Sequence, residues 1–205
     1  MFERAVRSDK KLKIFLWGET GTGKTRLALH FPRAIIFDLE KGSDLYGDDF
    51  SFDVFRPSSL DEVYKGLAHL RTCGDKYRTL IIDPVSIIWE WLQAGIEKDE
   101  IGPKDWSNIK TLYKRLLYAL IDLDMHVIVT ARSKTRYRQG AFMVAAGETF
   151  DSDKSTDYVF DIVMQLKVED GRQVALCHKD RTGHFPATQF PTAQFLNYLK
   201  KGKNG

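Results

Sequence analysis

The sequence predicts one α/β domain on a mostly parallel sheet, with a β-hairpin appended near the C-terminus. Three observations carry that expectation. Short apolar runs rich in β-branched residues alternate with longer segments of helical spacing, as in successive βαβ units. A glycine-rich stretch, GETGTGKT (Gly18 to Thr25), stands between one such run and a helical pattern. Asp170-Gly171 separates two strand-like runs, a strong turn signal for a hairpin.

In chain order, the first strand is KIFLWG (13–18), and the helix after the glycine-rich turn runs through TRLALHF. AIIFD (34–38), beyond Pro32, supplies a second strand, and SFDVF (51–55) alternates as a third. Helical spacing covers 59–72, with Ser59 placed as its N-cap. TLIID (79–83) is a short apolar run ending in aspartate, the pattern of a buried central strand. VSIIWEWLQAGI reads as a helix and EKDEIGPKDW as a loop. From 107 to 123, Ile109, Leu112, Leu116, Leu117 and Leu120 recur near helical spacing, and HVIVTA (126–131) is the next buried strand. Residues 132–157 show no clear periodicity and are expected to form a long loop, uncommon in a compact domain unless functional. DIVMQLKV and QVALCHK flank Asp170-Gly171, and a helix over 192–200 precedes a frayed tail at 201–205.

The 205 residues suit a single domain spanning 1–205, and 43% hydrophobic with 29% charged residues is ordinary for a globular chain. A formal charge of +3 permits a polyanionic partner without demanding one. Cys73 and Cys177 lack CxxC spacing, which fits buried thiols in a reducing compartment. The charged N-terminus is not a signal peptide, and no run approaches the roughly 18 apolar residues of a membrane span. A cytoplasmic protein with no membrane partner is therefore expected. His126, His178 and His184 make no metal set at familiar spacing, and Trp89 and Trp91 suit a core or an interface.

GETGTGKT matches G-x-x-x-x-G-K-[ST] in full, after a predicted strand and at the start of a predicted helix. In such a loop Gly18, Glu19, Thr20, Gly21, Thr22 and Gly23 curl backbone N–H groups around phosphate oxygens. Lys24 reaches the β- and γ-phosphates, and the Thr25 hydroxyl ligates Mg²⁺. Asp83, ending its strand beside this loop, would hold the same ion through water, so ATP and Mg²⁺ are the expected cofactors. Pro84 follows Asp83, which affects the next turn more than the metal. Asp38 and Glu40 both close the second strand, and either could face the nucleotide.

AIIFDLEKGSDLYG is the segment where the chain resembles RecA-like P-loop ATPases. The resemblance covers about residues 12–185. It implies a three-layer RecA-like core, with Glu40 orienting the attacking water, Asp44 contacting adenine and Tyr46 near an adenine-stacking position. HVIVTAR extends it, since this strand ends in a γ-phosphate sensor in RecA-like cores; either Thr130 or Arg132 fills that place here. CHKDRTG resembles the K-x-R pair of DnaB-type helicases, which implies that Lys179 and Arg181 reach a neighbouring subunit's ATP in trans. Two segments, 94–106 and 132–157, fall where RecA-like recombinases place DNA-binding loops. The second opens with Lys134, Arg136, Tyr137 and Arg138, cations interleaved with an aromatic, a composition suited to single strands.

The whole pattern looks most like phage-encoded RecA-core proteins of single-strand annealing and recombination. That resemblance implies an ATP-hydrolysing protein that binds and anneals or pairs single-stranded DNA, with a single-stranded-DNA-binding protein as a partner. It implies a homo-oligomer, ring or filament, in the cytoplasm of a bacterial host. Two other classes remain open: a P-loop kinase of a nucleotide or small metabolite, and a non-hydrolysing nucleotide-sensing assembly factor.

Overall fold

The computed structural model describes residue 4 and residues 11–94, 103–138, 144–186 and 188–201. Its strands are β1 (Lys13–Gly18), β2 (Ala34–Asp38), β3 (Phe52–Phe55), β4 (Thr79–Asp83), β5 (His126–Arg138), β6 (Val144–Phe150), β7 (Ile162–Glu169), β8 (Arg172–Asp180) and β9 (Gln189–Pro191). They form one sheet in the order β3-β2-β4-β5-β1-β7-β8-β9, with β6 paired to β5 outside that path. Every pairing from β3 across to β7 is parallel, and β8, β9 and β6 add antiparallel pairs.

The helices are α1 (Lys24–Leu29), α2 (Leu60–Leu70), α3 (Val85–Ala94), α4 (Pro103–Ile121), α5 (Thr156–Val159) and α6 (Phe195–Lys201). One buried cluster joins α2, α3 and α4 to Phe15, Phe37, Leu80 and Val129 on one sheet face. A second joins α1 and α6 to Ile14, Ile36, Ile81 and Ile128 on the other. These are the three layers. Burial on both faces is why the central strands read as continuous apolar runs.

Lys13 is the exception in β1. Its Nζ donates to Leu123 O at 2.6 Å and Met125 O at 2.8 Å, satisfying carbonyls beyond the end of α4. Burial pulls its pKa down to about 8, against the raising pull of Asp124, Asp161 and Asp122.

Most expected elements are present. Ser59 is the N-cap of α2 and accepts from Glu62 N at 3.3 Å. Asp170 and Gly171 have φ of 49° and 73°, the paired positive angles of a tight hairpin turn. Helix α4 begins at Pro103, ahead of the expected 107, because proline suits a first helical position. Residues 95–102, most of the first expected DNA-binding loop (94–106), lie outside the described residues. No helix among the described residues is long and apolar enough to cross a membrane.

The expected long loop over 132–157 is instead largely a second hairpin. β5 runs on past the parallel core to Arg138, and β6 returns against it with Ser133 opposite Phe150 and Thr135 opposite Glu148. The register shifts between Thr135 and Tyr137, and Gly147 on the facing strand takes φ 98°. That irregularity, together with polar residues on both faces, removes the period-two signal a sequence reading needs. Phe150 roots the hairpin in the core, its ring 5.1 Å from Phe15 and 6.0 Å from Trp17. Glu148 ties it to β7, accepting from Gln165 Nε2 at 2.8 Å and pairing with Lys167 at 3.5 Å.

Candidate active site

The C-terminal edge of the parallel strands gathers the polar groups, as is usual for open α/β sheets. β1 ends at Gly18 and α1 begins at Lys24, so the glycine-rich segment is the turn between them. Gly18 is required by close approach: a Cβ there would lie 2.2 Å from Leu166 O of β7. Gly23 is favoured by its φ of 87°, and the Gln173 amide lies against it, Nε2 2.8 Å from the Cβ position. Thr22 braces the turn, its hydroxyl donating to Glu19 O at 2.8 Å. Glu19, Thr20 and Gly21 complete it.

Lys24 Nζ donates to Gly18 O at 2.9 Å and Glu19 O at 2.7 Å, which holds the ammonium over the loop. Burial lowers its pKa, and the charges of Asp83 and Glu40 pull the other way. Lys24→Ala is expected to keep the fold and lose nucleotide binding by isothermal titration. Unchanged affinity in a folded variant would contradict the loop's assignment.

Thr25 and Thr130 share the Asp83 carboxylate. Thr25 Oγ1 donates to Oδ2 at 2.6 Å, and the Thr130 hydroxyl donates to Oδ1. Burial raises the Asp83 pKa, the Thr130 and Thr25 hydrogen bonds oppose the rise, and the Glu40 charge adds to it. A threonine hydroxyl beside a carboxylate is a hard-oxygen pair that fits Mg²⁺ shared with phosphates. Among the described residues no group of three or more His, Cys, Asp or Glu could hold a metal by itself. The Asp83-Pro84 bond is cis.

The two carboxylates at the end of β2 separate in role. Asp38 is 2% exposed and accepts from Ser43 Oγ at 2.6 Å, Ser43 N at 3.0 Å and Gly42 N at 3.3 Å, with Arg56 Nε at 3.7 Å. It is consumed in shaping its own turn. The Glu40 side chain is 47% exposed, and its Oε1 accepts from Arg132 Nε at 2.7 Å. The other end of the Arg132 guanidinium reaches Glu90 Oε1 on α3 at 2.9 Å. Partly exposed pairs of this kind contribute about 0.2–1 kcal/mol each. Arg132 is paired in register with Gly18, which sets it beside the loop.

Other expected site residues lie apart from this cluster. Asp44, in the short 3-10 turn Ser43–Tyr46, pairs with Arg56 and lines an open pocket of about 580 Å³ with Asp48, Asp49 and Phe50. Tyr46 packs half-buried against the core on the α1 face. Lys179 pairs with Val163 and so sits level with Phe15, about 10 Å along the strands from Gly18 at the usual rise. Its Nζ donates to Asp157 O at 2.8 Å and Tyr158 O at 2.9 Å, while Arg181 pairs with Asp161 at 3.7 Å. Within one chain this pair does not meet the glycine-rich loop.

Lys134 and Arg136 are exposed at alternate positions of the β5–β6 hairpin, and Lys134 is bonded to Asp151 at 2.9 Å. Tyr137 and Arg138 belong to β5, opposite Ala145 and Val144, and their side chains lie outside the described residues. Two residues that contact the site were missed, Gln173 and Glu90, and so was Arg56, which holds Asp38 and Asp44 beside it. Only Glu90 left a signal, as the one charged residue in the apolar helix 85–94.

Comparison with known proteins follows this geometry. No curated protein gives a significant match. Among solved structures, the crystal structure of the RadB recombinase superposes with a TM-score of 0.54 at 17% identity, covering 83% of this chain and 81% of that one. That likeness shows the fold, a RecA-like three-layer core. The model of the AAA domain family matches residues 10–186. The chain belongs to the AAA domain family.

Proposed function

We propose that this protein hydrolyses ATP with Mg²⁺ and couples turnover to binding and annealing or pairing single-stranded DNA, as a homo-oligomer. The observation that carries the reading is the convergence of Lys24, Thr25, Asp83, Glu40 and Arg132 at one sheet edge. Lys24 would meet the β- and γ-phosphates, and Thr25 with Asp83 would hold Mg²⁺, which neutralises charge on the phosphates. Glu40 would orient water toward the γ-phosphate, and Arg132 would sense that phosphate. Thr130, committed to Asp83, would position the metal ligand instead.

The DNA part of the reading is supported by the RecA-like fold shared with a recombinase and by the cations of the β5–β6 hairpin. A phage-type recombination or replication pathway, with a single-stranded-DNA-binding protein beside it, is the setting we infer. A kinase lid would have to close over two substrates. Here the hairpin is rooted instead, by Phe150 in the core, by Arg132 N–H on Ser86 Oγ at 3.0 Å and by Asp151 N–H on Arg132 O at 2.7 Å.

Single-strand affinity over a salt series tests this assignment. Replacing Arg136 and Arg138 by alanine should weaken binding to all sequences alike. It should flatten the slope of log affinity on log salt by about 1.4, at about 0.7 per phosphate contact. Adding Lys134→Ala should bring the change to about 2, provided that side chain leaves Asp151 for a phosphate. A triple variant with wild-type affinity and slope would exclude the hairpin as the DNA site.

A further inference from the structure

Two carboxylates converge on Arg132, and only one of them belongs to the nucleotide cluster. Nε and one terminal nitrogen of its guanidinium meet Glu40 Oε1 at 2.7 and 2.6 Å, and the other terminal nitrogen meets Glu90 Oε1 at 2.9 Å. The backbone of Arg132 is held on both sides, by Ser86 Oγ at 3.0 Å and by Asp151 N–H at 2.7 Å. Redistribution is therefore confined to the side chain. Ser86 and Glu90 are four apart on α3, hence on one helix face, one gripping the backbone of Arg132 and the other its side chain. Glu40 follows β2 directly at the sheet edge, whereas Glu90 lies more than a turn into α3, so the two carboxylates hold opposite ends of the guanidinium from different elements.

We propose that Glu90 is a positioning residue that shares the Arg132 guanidinium with Glu40 and so competes with a γ-phosphate for it. This rests on Arg132 as the γ-phosphate sensor and Glu40 as the water-orienting base. A nucleoside triphosphate must draw Arg132 from both carboxylates, and doing so releases Glu40 to act on water. A diphosphate offers no oxygen at that position and leaves the contacts intact. Site and sensor are then linked: whatever weakens the hold on Arg132 must tighten triphosphate binding and leave diphosphate binding alone.

The test is titration of ADP and of an ATP analogue with an unhydrolysable γ-linkage, both with Mg²⁺, in a double-mutant cycle. Glu90→Gln keeps the side chain's shape at an exposed position and should fold as wild type. It should raise the ratio of analogue to ADP affinity about two- to fivefold, the scale of one partly exposed ion pair. Glu90→Asp should fall between it and wild type. In an Arg132→Ala background the Glu90→Gln effect on the ratio should vanish, whereas a general loss of negative charge would persist there. An unchanged ratio in Glu90→Gln, or a change that survives Arg132→Ala, would overturn the proposal while leaving the sensor assignment standing. An Arg132→Ala protein with the wild-type ratio would overturn the sensor assignment and the proposal together.

Discussion

Glu40→Gln is expected to bind Mg-ATP at least as tightly as wild type and to hydrolyse it about 10²- to 10⁴-fold more slowly, the usual cost of losing a general base. The substitution removes the charge that aligns water and leaves Lys24, Thr25 and Asp83 in place. It also frees Arg132 from one of its two partners, so affinity has no reason to fall. Asp38→Asn is the control. Because Asp38 is 2% exposed and accepts from the Gly42 and Ser43 backbone and the Ser43 hydroxyl, its loss should lower the melting temperature and disturb the whole turn. Single-turnover kinetics separate the two. Slow chemistry with intact binding in Asp38→Asn, and not in Glu40→Gln, would place the base two residues earlier.

Arg181→Ala is expected to retain ATP binding and lose about 10³- to 10⁵-fold in turnover, the range for an arginine supplied to a transferring phosphoryl group. Geometry makes this a statement about assembly. Lys179 and Arg181 lie at the end of β8 away from the glycine-rich loop, so any contact with nucleotide must be with a neighbour's. Mixing Arg181→Ala with Lys24→Ala protein should therefore restore part of the activity, because some interfaces then pair an intact loop with an intact arginine. Lys179→Ala should behave likewise, with an added loss of stability, since its Nζ satisfies two carbonyls at Asp157 and Tyr158. Full turnover by a monomer at high dilution would contradict the arrangement.

The elements most legible in the sequence are those whose residues are dictated by local physics. Buried on both faces, β1, β4 and the first part of β5 read as apolar runs. The glycine-rich loop shows itself because close approach of backbone at Gly18 and a positive φ at Gly23 both favour glycine. The β5–β6 hairpin was not legible. Its pairing shifts register between Thr135 and Tyr137, and what holds it is long-range: Phe150 on Phe15, Glu148 on Gln165. Glu40 was legible only as one of two carboxylates. Arg56 and the turn at Ser43, distant or hidden in the pattern, are what divert Asp38 from the site. Arg132 was visible as a strand-end cation, but its second partner, Glu90, is brought there by helix packing that no short motif records.

The most direct measurement is the steady-state ATPase rate of the intact protein with and without single-stranded oligonucleotide, with molecular mass measured by light scattering in the same samples. The account predicts Mg²⁺-dependent turnover that rises with oligonucleotide, in an assembled species, and that disappears in Glu40→Gln. Turnover that ignores oligonucleotides, or that appears only when a phosphate-accepting metabolite is added, would contradict it.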